Sequence, residues 1–173
     1  MRDNIILIGM PGAGKSTVGV ILAKRLGFQF FDTDLLIQAR EKKQLQQIID
    51  HQGLEYFRQI EEQVINNLQV EQSVIATGGS VIYYPQGFAA LRSTGHCIYL
   101  QVSLACLVQR IADMGQRGLV MAAGQTFADL YYERTPLYKQ HAAASVNCDN
   151  LSAEQCAAAI EGELGARWPD LLP

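Results

Sequence analysis

The sequence predicts an α/β fold: a three-layer arrangement in which a doubly wound, five-stranded parallel sheet carries helices on both faces. Three observations predict it. Residues 5–8, Ile-Ile-Leu-Ile, form an unbroken β-branched apolar run, as expected of a strand covered on both sides. A glycine-rich loop follows, and Val18, Ile21, Leu22 and Leu26 then recur at helical spacing. Further down the chain, short apolar runs keep alternating with helical patterns, the order that builds parallel sheets through right-handed crossovers.

The elements follow in order. Gly27 stands where a helix ends in a left-handed residue. Residues 28–31 read as the second strand, running into Asp32-Thr33-Asp34. Residues 35–68 are helical in pattern with Gly53 as the break, and Phe57, Ile60, Val64, Ile65 and Leu68 make the apolar stripe. Residues 73–76 are the third strand, followed by Thr77-Gly78-Gly79-Ser80, and residues 97–102 are the fourth. A helix through Leu104, Leu107, Val108 and Ile111 follows, and the segment between Gly115 and Gly124 reads as a loop. Thr126 and Ser152, each with Asp or Gln three residues on, signal two helix starts. Residues 144–146 between those helices make the fifth strand, and residues 168–173 an irregular end.

With 173 residues, 49% of them hydrophobic and 18% charged, the chain fits one domain over residues 1–173. A domain of this size buries enough surface to need neither disulfide nor structural metal. Fourteen Lys and Arg against seventeen Asp and Glu give a net charge of −3, which argues against a nucleic-acid partner. The uncharged stretch 72–91 is interrupted by Gly78-Gly79, Pro85 and Gly87 and is no membrane span, and residues 5–8 are too short for a signal segment. Cys97, Cys106, Cys148 and Cys156 lack metal-ligand spacing and read as reduced core thiols of a cytoplasmic protein.

Residues 9–16 satisfy G-x-x-x-x-G-K-[ST] between a buried strand and an amphipathic helix, the setting this motif requires. Backbone N–H groups around Gly12, Ala13 and Gly14 converge on a phosphate, and the helix start, with Ser16 and Thr17, adds its partial positive charge. Lys15 reaches the β- and γ-phosphates, and the Ser16 hydroxyl suits Mg2+. The motif leaves GTPase switches, nucleotide kinases and small-molecule kinases open. No N-K-x-D motif exists for guanine, and Asp50-His51-Gln52-Gly53 matches D-x-x-G only as punctuation between helical stretches. Asp32 and Asp34 stand at the carboxyl end of the second strand, where open sheets place ligands. Alternation along an extended chain would point both the same way, Asp32 toward hydrated metal and Asp34 toward an attacking hydroxyl. Alternatively, one of them caps the next helix.

These residues, with Phe57-Arg58-x-x-Glu61, Thr77-Gly78-Gly79, Arg110, Arg117 and Glu133-Arg134-x-Pro136-Leu137-Tyr138, resemble the shikimate kinases over about residues 4–142. The resemblance implies a P-loop kinase with a mobile lid, about residues 113–124, that uses ATP and Mg2+ to phosphorylate the 3-hydroxyl of shikimate in aromatic amino acid biosynthesis. It implies that Lys15, Asp34 and Arg117 are catalytic, Arg117 from the lid. Arg110 would pack on adenine. Arg58 and Arg134 would grip the acceptor carboxylate, which suits the planar guanidinium fork. Asp34 would also bind ring hydroxyls, with Gly78 and Gly79 giving the substrate close backbone approach. Glu61, three residues after Arg58, would pair with it. Asp32 and Ser16 would serve the metal, and the enzyme would be a monomer.

Two positions depart from the family pattern. The glycine loop, typically three glycines, ends here in Ser80, and the lid reads Arg117-Gly118 in place of Arg-Pro. Both bear on acceptor identity, so homoserine or a sugar acid stands as an alternative acceptor, and a nucleotide-binding module without turnover as an alternative class. His51, His96 and His141 are isolated, and Tyr131, Tyr132 and Tyr138 read as packing.

Overall fold

The computed structural model describes residues 3–114 and 124–172. Five parallel strands lie in the order β2-β3-β1-β4-β5: β1 (Asn4–Ile8), β2 (Gln29–Asp32), β3 (Ser73–Ala76), β4 (Gly95–Gln101) and β5 (Ala144–Asn147). Helices α1 (Lys15–Leu26), α2 (Thr33–Glu41), α3 (Leu45–Asn66), α4 (Pro85–Ser93), α5 (Leu104–Met114), α6 (Phe127–His141) and α7 (Ala153–Arg167) flank this sheet, which is the expected fold. Every residue of β1 and β3 is buried, so the apolar runs do mark central strands. Gly27 closes α1 in the left-handed region, and Thr126 and Ser152 cap α6 and α7 through side-chain hydrogen bonds.

The ends of β1, β4 and β5 differ from expectation by one or two residues, and four further differences bear on the site or the layers. Phe28 belongs to the turn after α1, its N–H donating to the Ala23 carbonyl, so β2 begins one residue later. The chain leaves β2 at Asp32 and enters α2 at once, so Asp34 sits in a helical first turn and not on an extended strand. The long helical stretch breaks twice, at left-handed Lys42 as well as at Gly53. The uncharged stretch hides a helix, α4, whose first residue is Pro85 and whose Phe88 and Leu91 are buried. Pro is well suited there because the first helical N–H has no partner to lose. The tail carries a short 3-10 turn, Pro169–Leu171, and its Trp168 ring lies 4.1 Å from that of His96.

The carboxyl ends of β2, β3 and β1 are neighbours, so the segments after Ile8, Asp32 and Ala76 gather on one rim of the sheet. The strand order reverses beside β1, which is where such sheets bind ligands. Beneath that rim lies the main core, while Ile37, Ile48, Phe57 and Ile60 form a second small core between α2 and α3.

Candidate active site

On the nucleotide side, Gly12 and Gly14 take φ of +81° and +92°, a conformation that a side chain would strain and that turns successive N–H groups inward. The helix α1 then starts at Lys15 with no acidic residue in its first turn, leaving its amide charge available to an anion. Lys15 is buried, and its Nζ donates to the carbonyls of Gly9 at 2.8 Å and Met10 at 2.9 Å. Burial lowers its pKa to about 8, although Asp34 and Asp32 pull the other way. Ser16 and Thr17 are exposed at the cavity mouth. Ala13 buries its methyl and takes no part in the cavity wall; its carbonyl accepts from Arg110 at 3.3 Å. The other arm of Arg110 donates to the Cys148 carbonyl at 3.1 Å, so α5 is tied to both the phosphate loop and the end of β5.

On the opposite side, Asp32 is the helix cap: its Oδ1 accepts from the N–H groups of Asp34, at 2.9 Å, and Leu35. The capping alternative therefore holds for Asp32, and Asp34 is oriented by the helix that Asp32 starts. Burial and the nearby Glu61 and Asp32 carboxylates push the Asp34 pKa up to about 7, against the pull of Lys15. The glycine loop is held from both ends. The Thr33 hydroxyl accepts from the Gly78 N–H at 3.0 Å, and the Tyr138 hydroxyl donates to the Gly79 carbonyl at 2.6 Å. Absence of side chains in that loop is a matter of space. A Cβ on Gly78 would lie 2.3 Å from Glu61 Oε1 and 3.1 Å from Asp34 Oδ1, and one on Gly79 would lie 3.0 Å from Arg134 Nη1.

Arg134 is 2% exposed, which rules out a surface charge. Its Nε donates to the Tyr83 hydroxyl at 3.2 Å, its guanidinium lies 5.1 Å from the Tyr83 ring centre, and Tyr83 in turn donates to Glu133. Arg58 is exposed, and the expected Arg58–Glu61 ion pair is not among those formed by the described residues. Glu61 points inward instead, its Oε2 accepting from the Ser80 and Tyr84 hydroxyls, each at 2.6 Å. The helical spacing was right, but the helix presents these two residues to different surroundings.

These side chains surround a cavity of about 310 Å³ whose wall includes Gly12, Gly14, Lys15, Ser16, Thr17, Asp34, Gly78, Gly79 and Arg134. Arg58 lines an adjoining space of about 300 Å³, and Arg134 faces both. Asp32 and Arg110 are not among the residues lining this cavity, and Arg117 lies outside the described residues. A wider hollow of about 640 Å³ occupies the opposite rim, beside Asn4 and Gln29, away from the strand ends that carry ligands. Sequence reasoning missed Thr33, Tyr83 and Tyr84 and took Tyr138 for packing alone. Each acts through a hydroxyl aimed at a residue far away in the chain, for which no local signal exists.

A phosphate loop opening onto a pocket that holds both a carboxylate and a buried guanidinium defines the class of protein: a P-loop kinase acting on a small hydroxyl compound. The shikimate kinase family model matches residues 11–164. The chain is 33% identical to a shikimate kinase of Xylella fastidiosa over 95% of its length and 93% of that protein, and 36% identical to one of Actinobacillus succinogenes over 88% and 90%. In structure it is similar to the shikimate kinase of Acinetobacter baumannii solved in complex with shikimate, with a TM-score of 0.89, 30% identity, and coverage of 97% and 96%. A Janibacter sugar kinase, 15% identical with a TM-score of 0.61, shares the fold alone. The chain belongs to the shikimate kinase family, ATP-dependent phosphotransferases with an alcohol acceptor.

Proposed function

We propose that the chain transfers the γ-phosphoryl group of ATP to the 3-hydroxyl of shikimate, giving shikimate 3-phosphate. The observation that carries this is the convergence of Lys15, Asp34 and Arg134 on one cavity. A bond forms between the acceptor oxygen and the γ-phosphorus as the bond to the β–γ bridging oxygen breaks, and Asp34 accepts the hydroxyl proton. A carboxyl group held near the operating pH is well matched to that task. Lys15, already desolvated, turns from the Gly9 and Met10 carbonyls to the β- and γ-phosphate oxygens.

Arg134, with Arg58 across the adjoining space, receives the acceptor carboxylate, and Gly78 and Gly79 give its ring room. Arg110 braces the nucleotide loop and offers its outer face to adenine. An exposed hydroxyl at Ser16 and the carboxylate of Asp32 are hard oxygen donors, and the set fits Mg2+, which keeps several waters and needs few protein ligands. When bound, that ion offsets the charge of the phosphate oxygens. Arg117, which lies outside the described residues, would supply further charge to the transferred group, as the family resemblance implies. The protein works as a single catalytic domain over residues 1–173, as a monomer, in the cytoplasm; no helix among the described residues is long and apolar enough to cross a membrane.

The test is an acceptor panel with ATP and Mg2+, following ADP release and the product by phosphorus NMR. Turnover with shikimate supports the reading. Turnover with homoserine or a sugar acid but not shikimate overturns the acceptor, and ATP binding without acceptor-dependent turnover overturns the reaction.

A further inference from the structure

The glycine loop runs directly into a 3-10 turn, Val81–Tyr83, pinned by the burial of Val81 and Ile82 and by the Tyr83 N–H, which donates to the Ser80 carbonyl at 2.9 Å. The turn fixes where the Tyr83 side chain starts, and that side chain reaches across to α6. Its hydroxyl has one proton, which goes to the Glu133 carboxylate, whose other oxygen accepts from Gln125 at 2.8 Å. Toward Arg134 the same hydroxyl oxygen can therefore only accept, and it takes the Nε hydrogen at 3.2 Å. Burial and the bond to Glu133 raise the Tyr83 pKa, with Arg134 opposing, so the phenol keeps the proton that enforces these roles.

A guanidinium can grip a carboxylate with two parallel hydrogen bonds along either of two edges: Nε with one Nη, or the two Nη atoms together. Nε carries a single hydrogen, and Tyr83 takes it. The first edge is thereby closed to a bidentate partner. Nη1, which belongs to the second edge, lies beside the glycine loop, where a Cβ on Gly79 would meet it at 3.0 Å.

We propose that Tyr83 is a positioning residue for Arg134: its hydroxyl occupies the Nε edge of the guanidinium, so that the acceptor carboxylate is received across the two Nη atoms, on the side of the glycine loop. This rests on the proposed acceptor chemistry and adds to it which edge of Arg134 reads the carboxylate. Tyr83 lines the same adjoining space as Arg134 but acts through it and not on the reacting atoms. Glu133 contributes at one remove, by taking the phenolic proton.

The experiment uses the wild-type protein, Tyr83→Phe, Tyr83→Leu, Arg134→Lys and the double variant Tyr83→Phe/Arg134→Lys. In the ligand-free protein, proton–nitrogen NMR of the arginine Nε–H groups reads the hydrogen bond, the Arg134 signal being the one lost in Arg134→Lys. The proposal expects that Nε–H to exchange with water about tenfold faster in Tyr83→Phe, the scale of one lost hydrogen bond. An unchanged exchange rate overturns it whatever the acceptor. In turnover, Tyr83→Phe should raise the KM for shikimate about three- to tenfold, with kcat and the KM for ATP within about twofold of wild type. Wild-type kinetics in Tyr83→Phe with a raised KM only in Tyr83→Leu would make the ring responsible and overturn the role of the hydroxyl. The double variant should have the KM of Arg134→Lys alone, because lysine has no Nε–H to hold. A further rise as large as that seen in the wild-type background overturns the proposal, since Tyr83 would then act on the acceptor without Arg134. A wild-type protein that fails to turn over shikimate would refute the acceptor assignment, and the ligand-free exchange would still decide whether Tyr83 holds the Nε edge.

Discussion

Replacing Asp34 with Asn should make the ligand-free, metal-free protein more stable at pH 8 while removing most of its activity. The folded structure raises the Asp34 pKa from 3.8 to about 7, through burial first and then the Glu61 and Asp32 charges. A group whose folded pKa is raised gives its full stability below its unfolded pKa and loses it as pH rises through the folded one. For Asp34 that window runs from about pH 4 to about pH 7. At 1.36 kcal/mol per unit, the penalty of the ionised form at pH 8 reaches at most about 4 kcal/mol. Part of it returns, because Lys15 loses an attractive partner in the variant. The expected net gain is about 1–3 kcal/mol, or roughly 3–8 °C in Tm for a chain of this length. Calorimetric unfolding at pH 5 and pH 8 measures it. The gain should grow with pH, and kcat should fall about 10²- to 10⁴-fold. A variant less stable than wild type by the same amount at both pH values would refute the reasoning, because it would mean that the Asp34 charge is not opposed by its surroundings.

Other outcomes follow from the same geometry. The kcat/KM profile of the wild-type enzyme should fall on the acid side with a limb near pH 7, from Asp34, and on the alkaline side with a limb near pH 8, from Lys15; Asp34→Asn should abolish the acid limb. Gly79→Ala places a methyl 3.0 Å from Arg134 Nη1 and should raise the acceptor KM severalfold while kcat changes less, as read in steady-state kinetics. Arg110→Ala frees the Ala13 and Cys148 carbonyls and should weaken ATP binding about 3- to 10-fold by calorimetric titration, without altering acceptor affinity in the absence of nucleotide. Thr126→Ala removes the hydroxyl that accepts from the Asp129 N–H at the start of α6 and should cost about 1 kcal/mol in denaturant unfolding.

Features encoded within a few neighbouring residues were legible in the sequence. The phosphate loop is one, since its glycines, lysine and serine act together where they stand, and the buried strands are another, since residues 5–8 and 73–76 are apolar on both faces. Asp34 was placed in the right region for the wrong geometric reason. An extended Asp32 is followed directly by a helical Thr33, and only the hydrogen bonds to Asp32 reveal the cap. Helix α4 was missed because Pro85 and Gly87 read as breaks, although Pro at a first helical position starts a helix as readily as it ends one. The Arg58–Glu61 pair failed because spacing along a helix cannot tell which of two residues faces the core. Glu61 is claimed by hydroxyls 19 and 23 residues away, and such partnerships exist only after folding. Arg134 was legible as a site residue only through family resemblance, because nothing local distinguishes a buried arginine from an exposed one.

The most direct test of the account is titration of shikimate into the wild-type protein and into Arg134→Lys by calorimetry, with a nonhydrolysable ATP analogue and Mg2+ present. The account predicts saturable binding to the wild type and a loss of at least about tenfold in affinity when the bidentate fork at position 134 becomes a single ammonium. Equal affinity in the two proteins would contradict it, because the acceptor would then be held somewhere other than the cavity shared by Lys15, Asp34 and Arg134.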